Sequence, residues 1–193
     1  MANFVYVRQK GPYGNATPVL NAAHLIGDEP FAVLFGDELF FGERPRLRQM
    51  MDTFEKYGDP VLGVVKTDAQ GTERYGIIDP AARVEKNVYQ LKGVVEKPGS
   101  KRAPSRLASI GAYVLTPDIF QAIRTIKPGH GGEYVLLDAI FLLMKQRPVY
   151  ACELEGAWYD TGSKIGWLRA NLVAALQRKD LAKETRSVLK SLR

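Results

Sequence analysis

Three short and almost unbroken apolar runs constrain the fold of this chain more than any other feature. They are FAVLF at residues 31–35, PVLGVV at 60–65 and SIGAYVL at 109–115. Runs of this kind are typical of strands that are covered on both faces of a sheet. Residues 45–57 and 133–145 instead place apolar side chains at helical spacing. Strands that alternate with helices predict an α/β fold, with a mainly parallel sheet and helices on both faces.

The other segments give further expectations. We predict strands at residues 4–7 and 149–154, and helices at residues 19–26 and 164–176. Short segments at 75–78 and 91–95, separated by polar turns, predict small strands at the sheet margin or in an insertion. Thr116 is expected to cap a helix that Pro117 opens, and residues 155–162 are expected to form a turn with two glycines.

The composition limits the class of protein. With 193 residues, of which 46% are hydrophobic, the chain is long enough to bury the core of one domain. It has no apolar run of about 18 residues, and its first residues lack a signal-peptide pattern. We therefore expect a cytoplasmic protein that does not enter a membrane. The single Cys152 excludes an internal disulfide, and with only two histidines beside it a zinc cluster is not expected.

The net charge of +6 is concentrated near the carboxyl terminus. Residues 178–193 hold six Lys or Arg and two Asp or Glu, so four of the six net charges belong to this stretch. A basic amphipathic helix there is compatible with a contact to nucleic acid or to an anionic membrane, or with a solvated helix face. We favour the solvated face and expect neither a nucleic-acid nor a membrane partner.

Four charged residues next to predicted strands are the candidates for chemistry. Asp37 follows the first apolar run, Glu96 and Lys97 follow a Gly-Val-Val segment, and Asp160 precedes the helix predicted at 164–176. Taken singly, each aspartate fits a turn residue or a helix cap, and the Glu-Lys pair fits a surface salt bridge. Taken together, they would converge on one edge of the sheet. Two aspartates and substrate phosphates can hold Mg²⁺ there, and a lysine can neutralise phosphate charge.

Several segments occur in an order that resembles one enzyme family. They are Arg8-Gln9 followed by Gly14, GDEPFAVLFGDEL (27–39), GVVEKP (93–98), IGAYVLTPDIF (110–120), GGEYVLLDAI (131–140) and YDTGSKIGWLRAN (159–171). Together they resemble blocks of bacterial UTP-glucose-1-phosphate uridylyltransferases over about residues 5–177. The resemblance implies a Rossmann-like nucleotide-diphospho-sugar transferase fold in residues 1–177, followed by a basic helical tail at 178–193.

The resemblance also implies roles for individual residues. Asp37 and Asp160 would bind Mg²⁺ and, with Lys97 at the sugar phosphate, would form the catalytic set. Gln9 and Gly14 would recognise the uracil, Glu96 would accept hydrogen bonds from sugar hydroxyls, and Gly76 and Gly111 would line the sugar pocket. The sequence departs from the family pattern in its GNATP loop and at Leu137, where the family usually has Thr. The preferred nucleotide and sugar are therefore left open, because related thymidylyl- and guanylyltransferases share much of this framework.

One family segment has no counterpart in the sequence. The family's first strand and its glycine-rich triphosphate loop, which ends in Gly-Thr-Arg, are not found, so we expect a fold without its amino-terminal part. The implied reaction joins UTP and glucose 1-phosphate to give UDP-glucose and pyrophosphate. A non-catalytic binding or assembly fragment is the alternative. The resemblance further implies a homo-oligomer, as a dimer or tetramer, and a separate amino-terminal half is a second candidate partner.

Overall fold

The computed structural model describes residues 2–192. In chain order the elements are α1 (Ala16–Asn21), α2 (Ala23–Ile26), β1 (Phe31–Leu34), β2 (Glu38–Phe41), α3 (Arg46–Tyr57), β3 (Val61–Lys66), α4 (Gly71–Arg74), β4 (Gly76–Glu85), β5 (Val88–Glu96), β6 (Leu107–Leu115), α5 (Ile119–Thr125), α6 (Leu136–Leu143), β7 (Tyr150–Glu153), β8 (Ala157–Asp160), α7 (Lys164–Gln177) and α8 (Ala182–Ser191). The chain divides into two compact units. The first unit is formed by residues up to 33 and 46–154, and the second by residues 34–45 and those from 155 onward.

A six-stranded sheet forms the core of the first unit, in the order β1-β6-β3-β7-β5-β4. Every residue of β6 and the first five residues of β3 are buried, so both faces of these strands are covered, as predicted from their apolar runs. The predicted helix at 45–57 is present as α3, which covers one face. Its Tyr57 ring stacks on Tyr150, with ring centroids 4.3 Å apart, and the Cys152 thiol donates to the Gln49 carbonyl at 3.7 Å.

The sheet is mixed, but the expectation of a mainly parallel sheet is wrong. β3 runs parallel to β7 and antiparallel to β6, and β5 runs antiparallel to both β4 and β7. One reason is that β4 and β5 form a single long hairpin, longer than the strands predicted at 75–78 and 91–95. Two strands joined by a tight turn are necessarily antiparallel. The hairpin lies at the sheet margin, as expected.

The predictions for the amino-terminal segment are partly wrong. Residues 4–7 form no strand, and Phe4 and Tyr6 are 80% and 93% exposed. A strand needs a neighbour for its backbone hydrogen bonds, and no described strand lies beside this segment. β1 alternates between half-buried and exposed residues instead of being covered on both faces, so one face of this strand is open to solvent. The helix predicted at 19–26 is divided into α1 and α2.

The predicted cap of α5 is also wrong. The Thr116 hydroxyl donates to Asp118 Oδ1 at 2.5 Å, and no side chain caps this helix. The carboxylate of Asp118 competes successfully for the hydroxyl because a hydrogen bond to a charged acceptor is stronger than one between neutral groups.

The second unit is built on a two-stranded ladder. β2 pairs antiparallel with β8, with Glu38 opposite Asp160 and Phe41 opposite Ala157. The turn predicted at 155–162 is therefore wrong, because it contains β8. α7 packs on β8, and α8 packs on α7. α8 lies in the basic tail, of which Arg193 falls outside the described residues. Within residues 2–192, no helix has the length and apolar character needed to cross a membrane.

Candidate functional site

Two aspartate carboxylates meet at one end of the β2–β8 ladder. Asp37 lies in the turn before β2, and Asp160 ends β8 opposite Glu38. A Cβ atom built on Gly162 would lie 3.1 Å from Asp160 Oδ1 and 3.2 Å from Asp37 Oδ2. The two oxygens are therefore no farther apart than these two distances together, and the missing side chain of Gly162 leaves the space between them open.

Hydrogen bonds from the segment Asp160-Thr161-Gly162 hold this pair in place. The amide and the hydroxyl of Thr161 both donate to the Asp37 carbonyl, at 2.8 and 2.7 Å. The Gly162 amide donates to Asp160 Oδ1 at 2.9 Å. Helix α7 is capped by Ser163, which accepts from the Gly166 amide, so Asp160 is not the cap of this helix. Sequence reasoning missed the role of Thr161, whose signal was the Asp-Thr-Gly string directly before a helix.

The donor chemistry of the pair is suited to a divalent cation. Carboxylate oxygens that face one space are the ligands that hard cations prefer, and water or phosphate oxygens commonly supply the other positions. Among the residues that the structure describes, no group of three or more His, Cys, Asp or Glu side chains is placed to hold a metal. The contribution of these residues is therefore limited to a pair, which leaves coordination positions for a phosphate ligand. Thr161, Gly162, Ser163 and Lys164 also line a cavity of about 490 Å³.

A second group of candidate residues lies at the end of the β4–β5 hairpin, in the first unit. Gly76 is the register partner of Glu96. A Cβ atom on Gly76 would lie 2.5 Å from Leu137 Cδ1 and 3.0 Å from Glu96 Oε2, so no side chain fits there. Lys97 follows with a φ of 44°, which is uncommon for a residue with a side chain, and its Nζ lies 3.5 Å from Glu96 Oε1. The surface ion pair expected from one interpretation of the sequence is present.

The carboxylates around Glu96 are partly desolvated. Burial raises the pKa of Glu96, the Lys97 ammonium opposes this rise, and the nearby carboxylates of Asp138 and Glu133 add to it. Burial also raises the pKa of Asp138. Perturbed carboxylates grouped beside a lysine are characteristic of functional sites, although structural networks also produce them. Sequence reasoning missed Asp138, whose signal was its position directly after Leu137 at the start of α6.

The loop expected to recognise the base is joined to residues 134–136. Gly14 has a φ of 130°, and a Cβ atom on it would overlap the backbone of Tyr134. The Tyr134 amide donates to the Tyr13 carbonyl at 2.8 Å, and the Ala16 amide donates to the Tyr134 carbonyl at 3.0 Å. Close packing of two chain segments therefore requires a glycine at this position, whatever the ligand.

The two remaining candidates also lie in the first unit. The Gln9 side chain is exposed, and its amide donates to the Pro12 carbonyl at 3.4 Å. Gly111 lies in the buried middle of β6. Within the units taken separately, the structure thus brings Asp37 together with Asp160, and Glu96 together with Gly76 and Lys97.

Comparisons with known proteins agree with the resemblance seen in the sequence. The family model for nucleotidyl transferases matches residues 2–175. A UTP-glucose-1-phosphate uridylyltransferase of Bacillus subtilis is 45% identical over 181 residues, which cover 94% of this chain and 62% of that protein. One from Staphylococcus saprophyticus is 42% identical over 193 residues, which cover the whole chain and 66% of that protein. The chain thus spans slightly less than two thirds of these relatives.

Solved structures give the same result. A UDP-glucose pyrophosphorylase complexed with UDP-glucose has a TM-score of 0.86 and 36% identity, covering 91% of this chain and 67% of its own. A UDP-glucose pyrophosphorylase from Acinetobacter baumannii has a TM-score of 0.86 and 31% identity, covering 97% of this chain and 65% of its own. These likenesses confirm the expected α/β nucleotidyltransferase fold. The match of the family model over residues 2–175 shows that the chain belongs to the nucleotidyl transferase family.

Proposed function

We propose that the chain carries the metal-binding and sugar-binding parts of a UTP-glucose-1-phosphate uridylyltransferase, which forms UDP-glucose and pyrophosphate. The observation that carries this proposal is the pair of carboxylates from Asp37 and Asp160, which flank Gly162 although they are distant in the sequence. The relatives named above support UTP and glucose 1-phosphate as the substrates. A structural neighbour with bound UDP-glucose supports the product.

In this proposal Asp37 and Asp160 hold Mg²⁺. The bound ion supplies positive charge that neutralises phosphate oxygens. Lys97 adds a second positive charge at the sugar phosphate, and fixed charges of this kind stabilise a transition state in which negative charge develops. The phosphate oxygen of glucose 1-phosphate is already an anion. Alignment of the two substrates can therefore replace a strong general base.

The remaining residues bind and orient the substrates. Glu96 accepts hydrogen bonds from sugar hydroxyls, while Gly76 and Gly111 allow the sugar to approach the backbone closely. Gln9 and the backbone at Gly14 contact the uracil. The exposed side chain of Gln9 is compatible with this role, whereas the contact of Gly14 with Tyr134 gives that glycine a structural reason as well.

Pyrophosphate release tests the proposed reaction. The chain is incubated with Mg²⁺ and with UTP plus glucose 1-phosphate, and with other pairs of nucleotide and sugar phosphate in parallel. We expect the fastest release with UTP and glucose 1-phosphate, and none after chelation of the metal. Release that is fastest with a thymidine or guanosine triphosphate would instead assign the chain to a related activity.

A non-catalytic binding fragment is the second candidate. Calorimetric titration with UDP-glucose separates the two candidates, since a binding fragment takes up the nucleotide sugar and releases no pyrophosphate. A homo-oligomer, a separate amino-terminal half and a cytoplasmic location stay predictions, and light scattering would test the first.

A further inference from the structure

The hydroxyl of Ser109 is buried without a hydrogen-bond partner among residues 2–192. Ser109 lies in β6 and keeps 7% of its surface exposed. Its Oγ atom has no contact with water and no donor or acceptor within reach. A buried hydroxyl in this condition destabilises a fold relative to an apolar side chain of the same size. A serine at this position is therefore better explained by a ligand than by packing.

The pairing of β4 and β6 places Ser109 beside the candidate sugar site. Ala108 pairs with Ile77 in an antiparallel register. The residue after Ala108, Ser109, therefore lies beside the residue before Ile77, Gly76. Neighbouring residues of this kind have their Cβ atoms on the same face, about 4.5–5.5 Å apart. The Cβ direction of Gly76 points to Leu137 and Glu96. The Ser109 side chain therefore faces this same space.

The pairing on the other edge of β6 gives the same orientation. Ser109 lies opposite Val64 of β3. The neighbouring Gly63 directs its Cβ position toward the sulfur of Met50 in α3, at 3.2 Å. The β3–β6 register shifts between Leu62 and Val64, but Val64 and Ser109 are themselves paired. Successive residues of a strand point to opposite faces, so Val64 and Ser109 point away from α3. Leu137, which packs over Gly76, belongs to α6, so Ser109 faces the α6 side of the sheet.

We propose that Ser109 is a specificity-determining residue, whose hydroxyl, when the Leu137 side chain moves aside, makes a hydrogen bond to one hydroxyl of the sugar beside Gly76 and Glu96. This proposal rests on the proposed function. Leu137 presents a methyl group to the same space, whereas Glu96 and Ser109 present polar atoms to it. Glu96 in its ionised form only accepts hydrogen bonds, while Ser109 both donates and accepts. Ser109 thereby adds a donor to the site.

Calorimetric titration of the full chain tests this role with UDP-glucose and with UDP-sugars that each lack one hydroxyl group. We expect Ser109→Ala to bind UDP-glucose about three- to tenfold more weakly, as for the loss of one neutral hydrogen bond. The unaltered chain and Ser109→Ala should have equal affinities for the UDP-sugar that lacks the hydroxyl contacted by Ser109. Because the variant loses an unsatisfied hydroxyl, its melting temperature without ligand should equal or exceed that of the unaltered chain.

Ser105 provides the matched control. Its hydroxyl donates to the Ile78 carbonyl at 2.7 Å and accepts from the Leu107 amide at 3.1 Å. Ser105→Ala should therefore lower the melting temperature and leave the affinity for UDP-glucose unchanged. An unchanged affinity of Ser109→Ala, or an equal loss with every UDP-sugar, would overturn the role of Ser109 and leave the proposed function standing. Failure of the unaltered chain to bind UDP-glucose would overturn both.

Discussion

Asp37 and Asp160 are held by different means, although their carboxylates flank one glycine. The Asp37 backbone is fixed by two hydrogen bonds from Thr161, whereas the Asp160 side chain itself accepts the Gly162 amide. The Asp37 residue is exposed to solvent. Its position thus follows from the backbone, so a neutral substitution should preserve the local fold.

Neutralising either aspartate should therefore weaken Mg²⁺-dependent binding before it affects stability. We expect Asp37→Asn and Asp160→Asn to weaken the Mg²⁺-dependent part of UDP-glucose binding at least about tenfold, since changes to groups that merely support metal ligands already have effects of this size. Titration with and without Mg²⁺ measures this. Asp180→Asn, at an exposed aspartate paired with Arg178, is the control and should bind normally. A Mg²⁺ response that survives both site variants would exclude the carboxylate pair as the metal site.

The raised pKa of Glu96 has a consequence for the pH dependence of stability. Burial, together with Asp138 and Glu133, disfavours its ionised form in the folded chain. Stability should therefore fall as the pH rises from the unfolded pKa, near 4.5, through the raised folded pKa. Glu96→Gln removes this loss. The melting temperature of the variant minus that of the unaltered chain should therefore increase as the pH rises from 4.5 to 7.5.

Glu153 provides a control of opposite sign. Burial acts to raise its pKa, but hydrogen bonds from Lys66 and Tyr89 outweigh burial and lower it. This carboxylate stabilises the fold at neutral pH and loses that effect as the pH falls through its folded pKa. Glu153→Gln should consequently be less stable than the unaltered chain at pH 7.5 and approach it in acid. The prediction for Glu96 fails if both variants change in the same direction.

At the scale of elements, the junction between residues 13–16 and 134–136 depends on Gly14. A methyl group at this position would meet the backbone of Tyr134, which offers no flexible side chain that could move aside. We expect Gly14→Ala to lower the free energy of unfolding by roughly 2 kcal/mol or more, measured by urea denaturation. Gly11→Ala is the matched comparison, because Gly11 has a φ of 109° but its nearest contact would be 3.7 Å away. Backbone strain alone should make Gly11→Ala the milder change, and equal losses would rule out the close approach as the cause.

The elements that could be predicted from the sequence are those with unbroken apolar runs or helical periodicity. β3, β6 and α3 were predicted because their residues are buried by nearby elements, which leaves a local signal. β2 and β8 were missed because four-residue strands that pair only with each other, across a long separation, carry almost no local pattern. The segment at 4–7 has the residue types of a strand, but propensity is not sufficient where no described strand supplies a ladder.

At the scale of the whole molecule, the proximity of the two aspartates was easier to predict than the topology. Asp37 and Asp160 were expected to converge from their positions beside strands and from the resemblance, and the β2–β8 ladder does bring them together. The direction of each strand was not predicted, because alternation of strands and helices does not exclude hairpins. Ser109 and Asp138 were missed, since their contacts arise from register and packing, which the sequence does not display.

Arg147 links three stretches of the first unit. Its Nε donates to Asp59 Oδ1 at 2.8 Å, and a terminal nitrogen donates to the Gly58 carbonyl at 2.9 Å. Its other terminal nitrogen donates to Asp118 Oδ2 at 3.0 Å and to the Thr116 hydroxyl at 3.2 Å. Burial acts to lower the pKa of Arg147, but the hydrogen bonds to Asp118 and Asp59 outweigh burial and raise the pKa above its ordinary value. The loops after α3, β6 and α6 are thereby joined through one guanidinium.

Removing this guanidinium should destabilise the first unit more than the loss of an exposed ion pair would. The Arg147 and Asp59 side chains are only 28% and 17% exposed, so Arg147→Ala leaves a largely buried carboxylate without its donor. We expect a decrease of about 2–3 kcal/mol in the free energy of unfolding, within the range for lost hydrogen bonds to charged groups.

Arg178 and Asp180 form a comparably short ion pair, but both side chains are more than 60% exposed. Arg178→Ala should therefore unfold in urea at the same midpoint as the unaltered chain, because water and salt screen such a pair. Equal midpoints for the two variants would show that Arg147 has no such joining role, whereas a loss confined to Arg147→Ala would support it.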